Sequence, residues 1–124
     1  MAYKIESKPL ANIVTVTYSG SASLDMRLQA VAEVCNNYSD LKPFKILVDV
    51  RDLVMDLLFG EQEAFGEYLA NHYDLHNARV AVLHKPSFNP NAVIDAKAYS
   101  NGYQLAQFSD RRDAELWLLK KDQD

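Results

Sequence analysis

Two short apolar runs constrain the fold of this chain more than any other feature of its sequence. Residues 46–50 are apolar except for Asp49, and residues 79–83 are apolar after Arg79. Continuous runs of this length are typical of strands that are covered on both faces, as in the parallel centre of an α/β sheet. We therefore predict that the two segments are adjacent, parallel, central strands of one sheet.

Further strands are predicted at both ends of the chain. Residues 3–7 and 13–18 predict a hairpin around the turn-like stretch 8–12, and the second of these segments is rich in β-branched and aromatic residues. Residues 103–108 predict a short last strand. With the two apolar runs, this gives five strands.

Four helices are predicted between and after these strands. The first follows a candidate cap at Ser23. Its apolar stripe consists of Leu24, Leu28, Val31, Cys35 and Tyr38. The second opens near Gly60, the third covers residues 90–99 behind the candidate cap Asn89, and the last follows Ser109. The order ββαβαβαβα implies an α/β fold with a single mixed, mostly parallel sheet, right-handed crossovers and helices packed on it.

Length and charge narrow the class of protein. A chain of 124 residues fits one domain, which we assign to residues 1–124. The formal net charge of −4, with basic residues scattered along the chain, argues against nucleic acid as a partner. No apolar run is long enough to span a membrane, no signal-peptide pattern follows Met1, and Cys35 has no disulfide partner. We therefore expect a cytoplasmic protein.

Several local strings accompany the predicted order of elements. They are KILVDVR at 45–51, MDLLFG at 55–60, ARVAVL at 78–83, QFSD at 107–110 and AELWL at 114–118. Together they resemble the SpoIIAA-like branch of the STAS superfamily over almost the whole chain. Because none of the strings is a catalytic fingerprint, the resemblance implies a fold rather than an activity.

The resemblance also shows a departure from the family pattern. In sporulation-type STAS proteins, a strand is followed by a loop that carries a phosphorylatable serine at a helix N-terminus. Here 49–51 resembles the strand end, but Leu57 and Leu58 stand where that serine is expected. Because phosphoryl transfer needs an oxygen nucleophile, and no hydroxyl lies between Arg51 and Tyr68, we predict that this chain lacks the phospho-switch of anti-sigma-factor antagonists.

A polar set of side chains is predicted at the carboxyl ends of the two apolar runs. Asp49 and Arg51 end the first run, and His84 follows the second. Ligands in open α/β sheets bind outside the carboxyl ends of the strands, so these groups, with Asp56 and Glu61, are candidates for holding a small polar ligand. The alternative is an ion-pair network that fixes a loop, with Glu61 favouring a helix N-terminus.

Metal and nucleophile chemistry find little support. His72 and His76 have the spacing of two ligands on one helix face, but residues 74–77 look like a helix end and no third Cys or His is near in sequence. Cys35 lies on an apolar stripe, where cysteine behaves as a small hydrophobe. The chain has neither a Gly-rich phosphate loop nor a nucleophile elbow. We therefore predict no metal, no cofactor and no enzymatic activity.

The segment 53–59 is unusually apolar for a loop, because only Asp56 interrupts its apolar residues. One interpretation is that it packs beneath the following helix. The other is that it forms a surface for a partner, a second copy or an apolar ligand. Leu57, Leu58 and Phe59 are the main candidates for such a surface.

Three hypotheses follow. The first is a non-enzymatic interaction or regulatory module that forms a homodimer, or meets another protein, through residues 53–59. The alternative is a carrier or binding protein for a small apolar or amphipathic ligand, held between the sheet and the second helix. The third is an enzyme that uses Asp49, Arg51 and His84. A pocket lined by residues 57–59 favours the carrier, a flat patch the module, and a polar cleft around His84 the enzyme.

Overall fold

The computed structural model describes residues 2–8 and 11–120, and these form five strands and four α-helices. The strands are β1 (Tyr3–Lys8), β2 (Ile13–Ser21), β3 (Lys45–Val54), β4 (Arg79–Leu83) and β5 (Gln104–Phe108). The helices are α1 (Leu24–Asn37), α2 (Phe59–Asn71), α3 (Ala92–Ser100) and α4 (Arg111–Leu119). The predicted order ββαβαβαβα is confirmed.

The strands form one mixed sheet in the order β1-β2-β3-β4-β5. β1 and β2 are antiparallel, and every other neighbouring pair is parallel. The two apolar runs are neighbours, with Val48 opposite Val82, as the sequence predicts. Both strands lie in the interior of the sheet, so each one has a hydrogen-bonded neighbour on either side.

The two faces of the sheet are covered unequally. Ile46 and Val50 of β3 belong to a cluster with residues of α1, α2 and α3, whereas Leu47 packs against Ala114 and Leu118 of α4. Alternate residues of a strand point to opposite faces, so three helices cover one face and α4 covers the other. Burial on both faces explains why β3 and β4 carry almost continuous apolar sequence.

The structure confirms the predicted N-cap of the first helix and corrects the predicted N-cap of the last helix. Ser23 Oγ accepts from the Met26 N–H at 3.2 Å, as predicted. The last helix is capped by Asp110, whose Oδ1 accepts from the Asp113 N–H at 3.1 Å, rather than by Ser109. A carboxylate also suits the positive end of the helix dipole better than a hydroxyl does.

The predicted start of the third helix is two residues too early. Pro90 precedes the helix, because Asn89 Oδ1 accepts from the Asn91 N–H at 2.9 Å and closes a turn there. α3 therefore begins at Ala92. The turn leaves the Asn91 side chain buried, in contact with Asp95 of the helix.

β2 and β3 extend further than predicted. Residues 19–21 pair with residues 52–54 beyond an irregularity in register between Thr17 and Ser19. The first part of the apolar segment 53–59 is therefore strand rather than loop. Within the described part of the chain, no helix combines the length and the hydropathy needed to cross a bilayer.

Candidate functional site

The carboxyl ends of β2, β3, β4 and β5 meet at one edge of the sheet, which also holds the starts of the four helices. This carboxyl edge is where open α/β sheets bind ligands. Most of the site residues predicted from the sequence lie on it or on the segments that leave it, but Asp49 and Arg51 lie inside β3, because that strand continues to Val54. Three arrangements along this edge and beneath it are of interest.

Asp49 and Arg51 form an ion pair on the α4 side of the sheet. Arg51 Nη2 lies 2.8 Å from Asp49 Oδ2, and both Arg51 Nε and the Arg51 backbone N–H donate to Asp49 Oδ1 at 3.1 Å. Burial acts to raise the pKa of Asp49, but the hydrogen bonds from Arg51 outweigh it and hold that pKa below its ordinary value. Asp49 and Arg51 therefore satisfy each other's charge and hydrogen bonds, as expected if they belong to an ion-pair network.

His84 lies on the opposite face from this pair. Asp49 stands opposite Leu83 in the sheet, and Leu83 packs in the α4-side cluster, so the next residue, His84, points to the other face. Its Nδ1 is 2.7 Å from the Lys85 carbonyl oxygen. The structure does not bring Asp49, Arg51 and His84 together into one polar cleft.

Residues 56–61 serve the start of α2. Glu61 accepts from the Leu58 N–H at 2.9 Å, which satisfies a free donor at the helix N-terminus, as the alternative interpretation predicts. Asp56 is exposed. Leu57 is buried with Phe65 and Ile94, so the expectation that it belongs to a partner surface is wrong.

The apolar segment 53–59 divides between the core and the surface. Leu53 and Leu57 are buried, whereas Val54, Leu58 and Phe59 are 58%, 73% and 63% exposed. Phe88, on the connection between β4 and α3 at the same edge, is 64% exposed. We name Val54, Leu58, Phe59 and Phe88 the apolar rim.

A cavity of about 70 Å³ lies between the sheet and the three helices of its larger layer. Aliphatic side chains of the sheet line much of it, namely Val16, Ile46, Val48, Val80 and Val82. Arg27, Asn91 and Asp95 supply charged and amide groups to its lining, and Tyr18 also borders it. Phe65 and Leu69 of α2 also border the cavity, so it lies between the sheet and the second helix as the carrier hypothesis expects, but Leu57, Leu58 and Phe59 do not line it.

Arg27 is buried in α1 with a relative exposure of 1%. Its Nε donates to the Ala22 carbonyl oxygen at 3.0 Å, and its Nη1 donates to Asn91 Oδ1 at 3.4 Å. Its Nη2 lies 3.8 Å from Met55 Sδ, and its guanidinium carbon is 5.4 Å from the Tyr18 ring centroid. Burial lowers the pKa of Arg27, while Tyr18 and Asp56 act in the opposite direction.

Asp95 is buried in α3 and receives three amide hydrogen bonds. Asn91 donates to its Oδ1 at 2.8 Å, and Asn89 and Gln107 donate to its Oδ2 at 2.9 and 3.0 Å. Burial raises the pKa of Asp95 in spite of these donors. Asn91 thus links the two buried charges, because its oxygen faces Arg27 and its nitrogen faces Asp95.

This polar network is not among the sites predicted from the sequence, although the sequence contains a signal for it. Arg27 follows Leu24 by three residues and precedes Val31 by four, which places it on the apolar side of α1. A charged residue at such a position indicates a buried polar site. Asp95, between the buried residues Ile94 and Ala98, carries the same signal.

Cys35, His72 and Asp74 come together with their potential ligand atoms within 4.8 Å of one another. Two of the three groups have structural contacts, since His72 Nδ1 accepts from the Asp74 N–H at 3.1 Å and Lys42 Nζ pairs with Asp74 at 2.7 Å, and Cys35 is a buried free thiol. α2 ends at Asn71, so His72 and His76 do not share a helical face, as predicted.

A scan against protein-family models and searches of curated proteins and of solved structures return no match to this chain.

Proposed function

We propose that this protein is a non-enzymatic interaction module that forms a homodimer through its apolar rim. The observation that carries the proposal is the exposure of Val54, Leu58, Phe59 and Phe88 at a single edge of the sheet. Large apolar side chains that cluster on a surface mark interaction sites, and aromatic residues are enriched in such interfaces. The β3–α2 and β4–α3 connections both contribute to the rim, so the rim is assembled only when the chain folds.

Charge around the rim favours a second copy as the occupant. The β2–β3 side of the carboxyl edge carries the exposed acids Asp25, Asp52 and Asp56, and its exposed arginine, Arg51, is already paired with Asp49. The β4–β5 side is less acidic: it carries Lys85, Arg111 and Arg112 beside Asp110 and Asp113, and Arg111 is paired with Glu115 at 3.1 Å. In a twofold dimer centred on the rim, the acidic side of each copy faces the less acidic side of the other.

The proposal retains the SpoIIAA-like resemblance as its account of the fold. It is supported by the order ββαβαβαβα and by a mixed sheet in which, among the described strands, the opening hairpin alone is antiparallel. The resemblance agrees with a regulatory role without phosphorylation, since Leu57 and Leu58 occupy the position expected for the acceptor serine.

Sedimentation equilibrium of the wild type and of a Leu58→Ser/Phe59→Ser variant tests the dimer. We expect a wild-type dimer at roughly 100 μM and a variant weakened at least ~100-fold, because truncating interface anchors costs about 2 kcal/mol or more each. Both changed side chains are largely exposed, so the folded monomer should keep its melting temperature within a few degrees.

The matched control is Tyr99→Ser/Leu116→Ser, which removes two large exposed apolar side chains from α3 and α4. It should leave self-association unchanged. A wild type that sediments as a monomer at high concentration contradicts the proposal, and so does a control variant that dissociates as readily as the rim variant.

A second candidate function is the binding of a small apolar or amphipathic ligand, as the alternative hypothesis holds. The internal cavity supports it, because the cavity combines an aliphatic wall with a few buried polar groups. Small-molecule sites have the same kind of lining, and the volume of about 70 Å³ restricts this cavity to a compact ligand. The cavity lies beneath the sheet's larger helical layer and is separate from the rim residues, so the two functions are compatible.

A further inference from the structure

Arg27 has weaker hydrogen-bonding partners than the buried carboxylates Asp49 and Asp95 have. Among the described residues, no carboxylate lies within ion-pair distance of its guanidinium, whereas buried Asp49 has Arg51 at 2.8 Å. A guanidinium has five N–H donors. Only the bond to the Ala22 carbonyl is short, since the contacts to Asn91 and Met55 are 3.4 and 3.8 Å long.

Burying Arg27 in this way lowers the free energy of unfolding of the protein. Removing a guanidinium from water without an anionic partner costs several kcal/mol, and an apolar side chain of similar volume is often the more stable choice at such a site. The interior around Arg27 would accept one, because the cavity that Arg27 borders is largely aliphatic. Each guanidinium nitrogen has one partner in the chain, but two of the three contacts are long, so an anion in the cavity would offer Arg27 stronger acceptors than the chain supplies.

We propose that Arg27 is the anion-recognition group of the internal cavity, and that the cavity binds a compact carboxylate with a short apolar tail. The guanidinium would hold the carboxylate through paired N–H donors, the geometry in which arginine binds planar anions best. The valines of β2, β3 and β4 would contact the tail. This inference rests on the second candidate function and adds to it the chemical class of the ligand.

Size and neighbouring charge restrict the ligand further. A cavity of about 70 Å³ is far smaller than the ~300–1,000 Å³ of sites that take drug-sized molecules, so only a compact ligand fits. Asp95 also borders the cavity, but three side-chain amides donate to its carboxylate. The Asn91 amide lies between Asp95 and Arg27, which lessens the repulsion that a bound anion would meet.

Propionate and its neutral counterpart 1-propanol are the probes for this site. We expect propionate to cause saturable shifts of the backbone amide NMR signals at residues 27–31, 80–82 and 91–95, with a dissociation constant of roughly 1 mM. 1-Propanol should bind at least ~10-fold more weakly, because it offers no charged acceptor to the guanidinium. Two variants, Arg27→Met and Arg112→Met, accompany the wild type.

Arg27→Met should abolish the saturable propionate shifts and raise the melting temperature of the free protein, because it replaces a buried charge that has no ion-pair partner with an apolar side chain. Arg112→Met removes an exposed arginine and should leave both binding and melting unchanged. A melting temperature that falls in Arg27→Met while binding persists shows that Arg27 is structural, which overturns the proposal.

The remaining outcomes distinguish two proposals: that Arg27 selects a carboxylate, and that the cavity binds a small molecule at all. Equal affinity for propionate and 1-propanol overturns the role of Arg27 but leaves a cavity that binds small molecules. No saturable shift with either probe overturns both. If Arg27→Met does not fold, the selectivity of the wild type for propionate over 1-propanol decides the question alone.

Discussion

Asp49 and Asp95 are both buried carboxylates, and their pKa values move in opposite directions. Hydrogen bonds from Arg51 outweigh burial at Asp49 and lower its pKa. Burial dominates at Asp95 and raises its pKa, because its donors are neutral amides. By linkage, ionised Asp49 stabilises the fold above the ordinary carboxyl pKa, whereas Asp95 lowers stability as pH rises from that value to its raised folded pKa.

The first prediction concerns Asp49→Asn. At pH 7 this change should lower the free energy of unfolding by about 1–2 kcal/mol, because it removes charge-assisted hydrogen bonds to a partly exposed arginine. The folded pKa of Asp49 is depressed, so this difference should be complete above about pH 4 and disappear as pH falls through the folded pKa. Urea unfolding of both proteins across that range measures it.

Asp52→Asn is the control, because it removes an exposed carboxylate from the same strand. Its unfolding free energy should stay within about 0.5 kcal/mol of the wild type at neutral pH. If the difference in unfolding free energy between the wild type and Asp49→Asn increases as the pH falls, the ion pair does not stabilise the charged form of Asp49.

The second residue-scale prediction is that no phosphorylation switches self-association. Leu57 is buried and Leu58 is an exposed hydrocarbon, so neither can accept a phosphoryl group. Incubation with an anti-sigma-type serine kinase and ATP should leave the mass of peptide 51–67 and the dimer dissociation constant unchanged. Mass spectrometry and sedimentation together check this. A phosphate anywhere on the chain that alters self-association would restore the antagonist role.

Some of the site residues could be predicted from the sequence and others could not. Glu61 at the start of α2 could be predicted, because a carboxylate in the first turn follows a local rule. The pairing of Arg27 with Asn91 could not be predicted, because the two residues are far apart in sequence and meet only through the packing of α1 and α3 on one face. His84 was assigned to the correct edge, but the face it points to depends on register.

At the scale of elements, the contact between α2 and α3 depends on one glycine. A Cβ added at Gly66 would lie 2.8 Å from both the Ile94 carbonyl oxygen and the Lys97 Cβ, and 3.1 Å from the Ala98 backbone nitrogen. Two of these neighbours are backbone atoms, so they cannot move without moving α3. Gly66 therefore sets how closely the two helices approach each other.

The prediction that follows is a comparison of Gly66→Ala with Gly60→Ala. Gly66→Ala should destabilise the protein by about 1–3 kcal/mol, because the overpacking cost exceeds the gain in helix propensity. Gly60 lies in the same helix with nothing within 4 Å of an added Cβ, so Gly60→Ala should be neutral or slightly stabilising. Thermal or urea unfolding measures both. Equal effects of the two changes would contradict a close α2–α3 contact at Gly66.

Element order could be predicted from the sequence, but the element limits could not. The apolar runs and the helical stripe are local patterns, so strands 46–50 and 79–83 were placed correctly. The extension of β3 to Val54 arises from pairing of residues 52–54 with residues 19–21, a contact that no local pattern encodes. The same extension explains why Leu53 is buried and Val54 is exposed, since successive strand residues point to opposite faces.

At the scale of the whole molecule, the dimer should respond to salt. The acidic side of the carboxyl edge and the basic groups of its β4–β5 side attract each other in the proposed arrangement, and salt screens that attraction. Raising ionic strength from ~0.1 to ~1 M shortens the screening length from about 10 to about 3 Å. We expect the dimer to weaken by several-fold, as measured by sedimentation equilibrium at each salt concentration.

Two charge reversals provide the control for this prediction. Lys85→Glu and Arg112→Glu each place an acid on the β4–β5 side of the edge and should weaken the dimer more at low salt than at high salt. A dimer that tightens with salt in the wild type would show that the rim alone drives association and that the charges around it are not complementary.

The order of strands in the sheet is the same as their order along the chain. When this protein is made on the ribosome, each new strand from β2 onward therefore emerges after the neighbour it must pair with. β3 adds to β2, β4 to β3 and β5 to β4, so the sheet grows at one edge and no strand has to be inserted between two others. α4 emerges after the other described elements, and until it arrives Leu47, Ala81 and Leu83 remain uncovered. Synthesis of this fold ends with the closing of its second face.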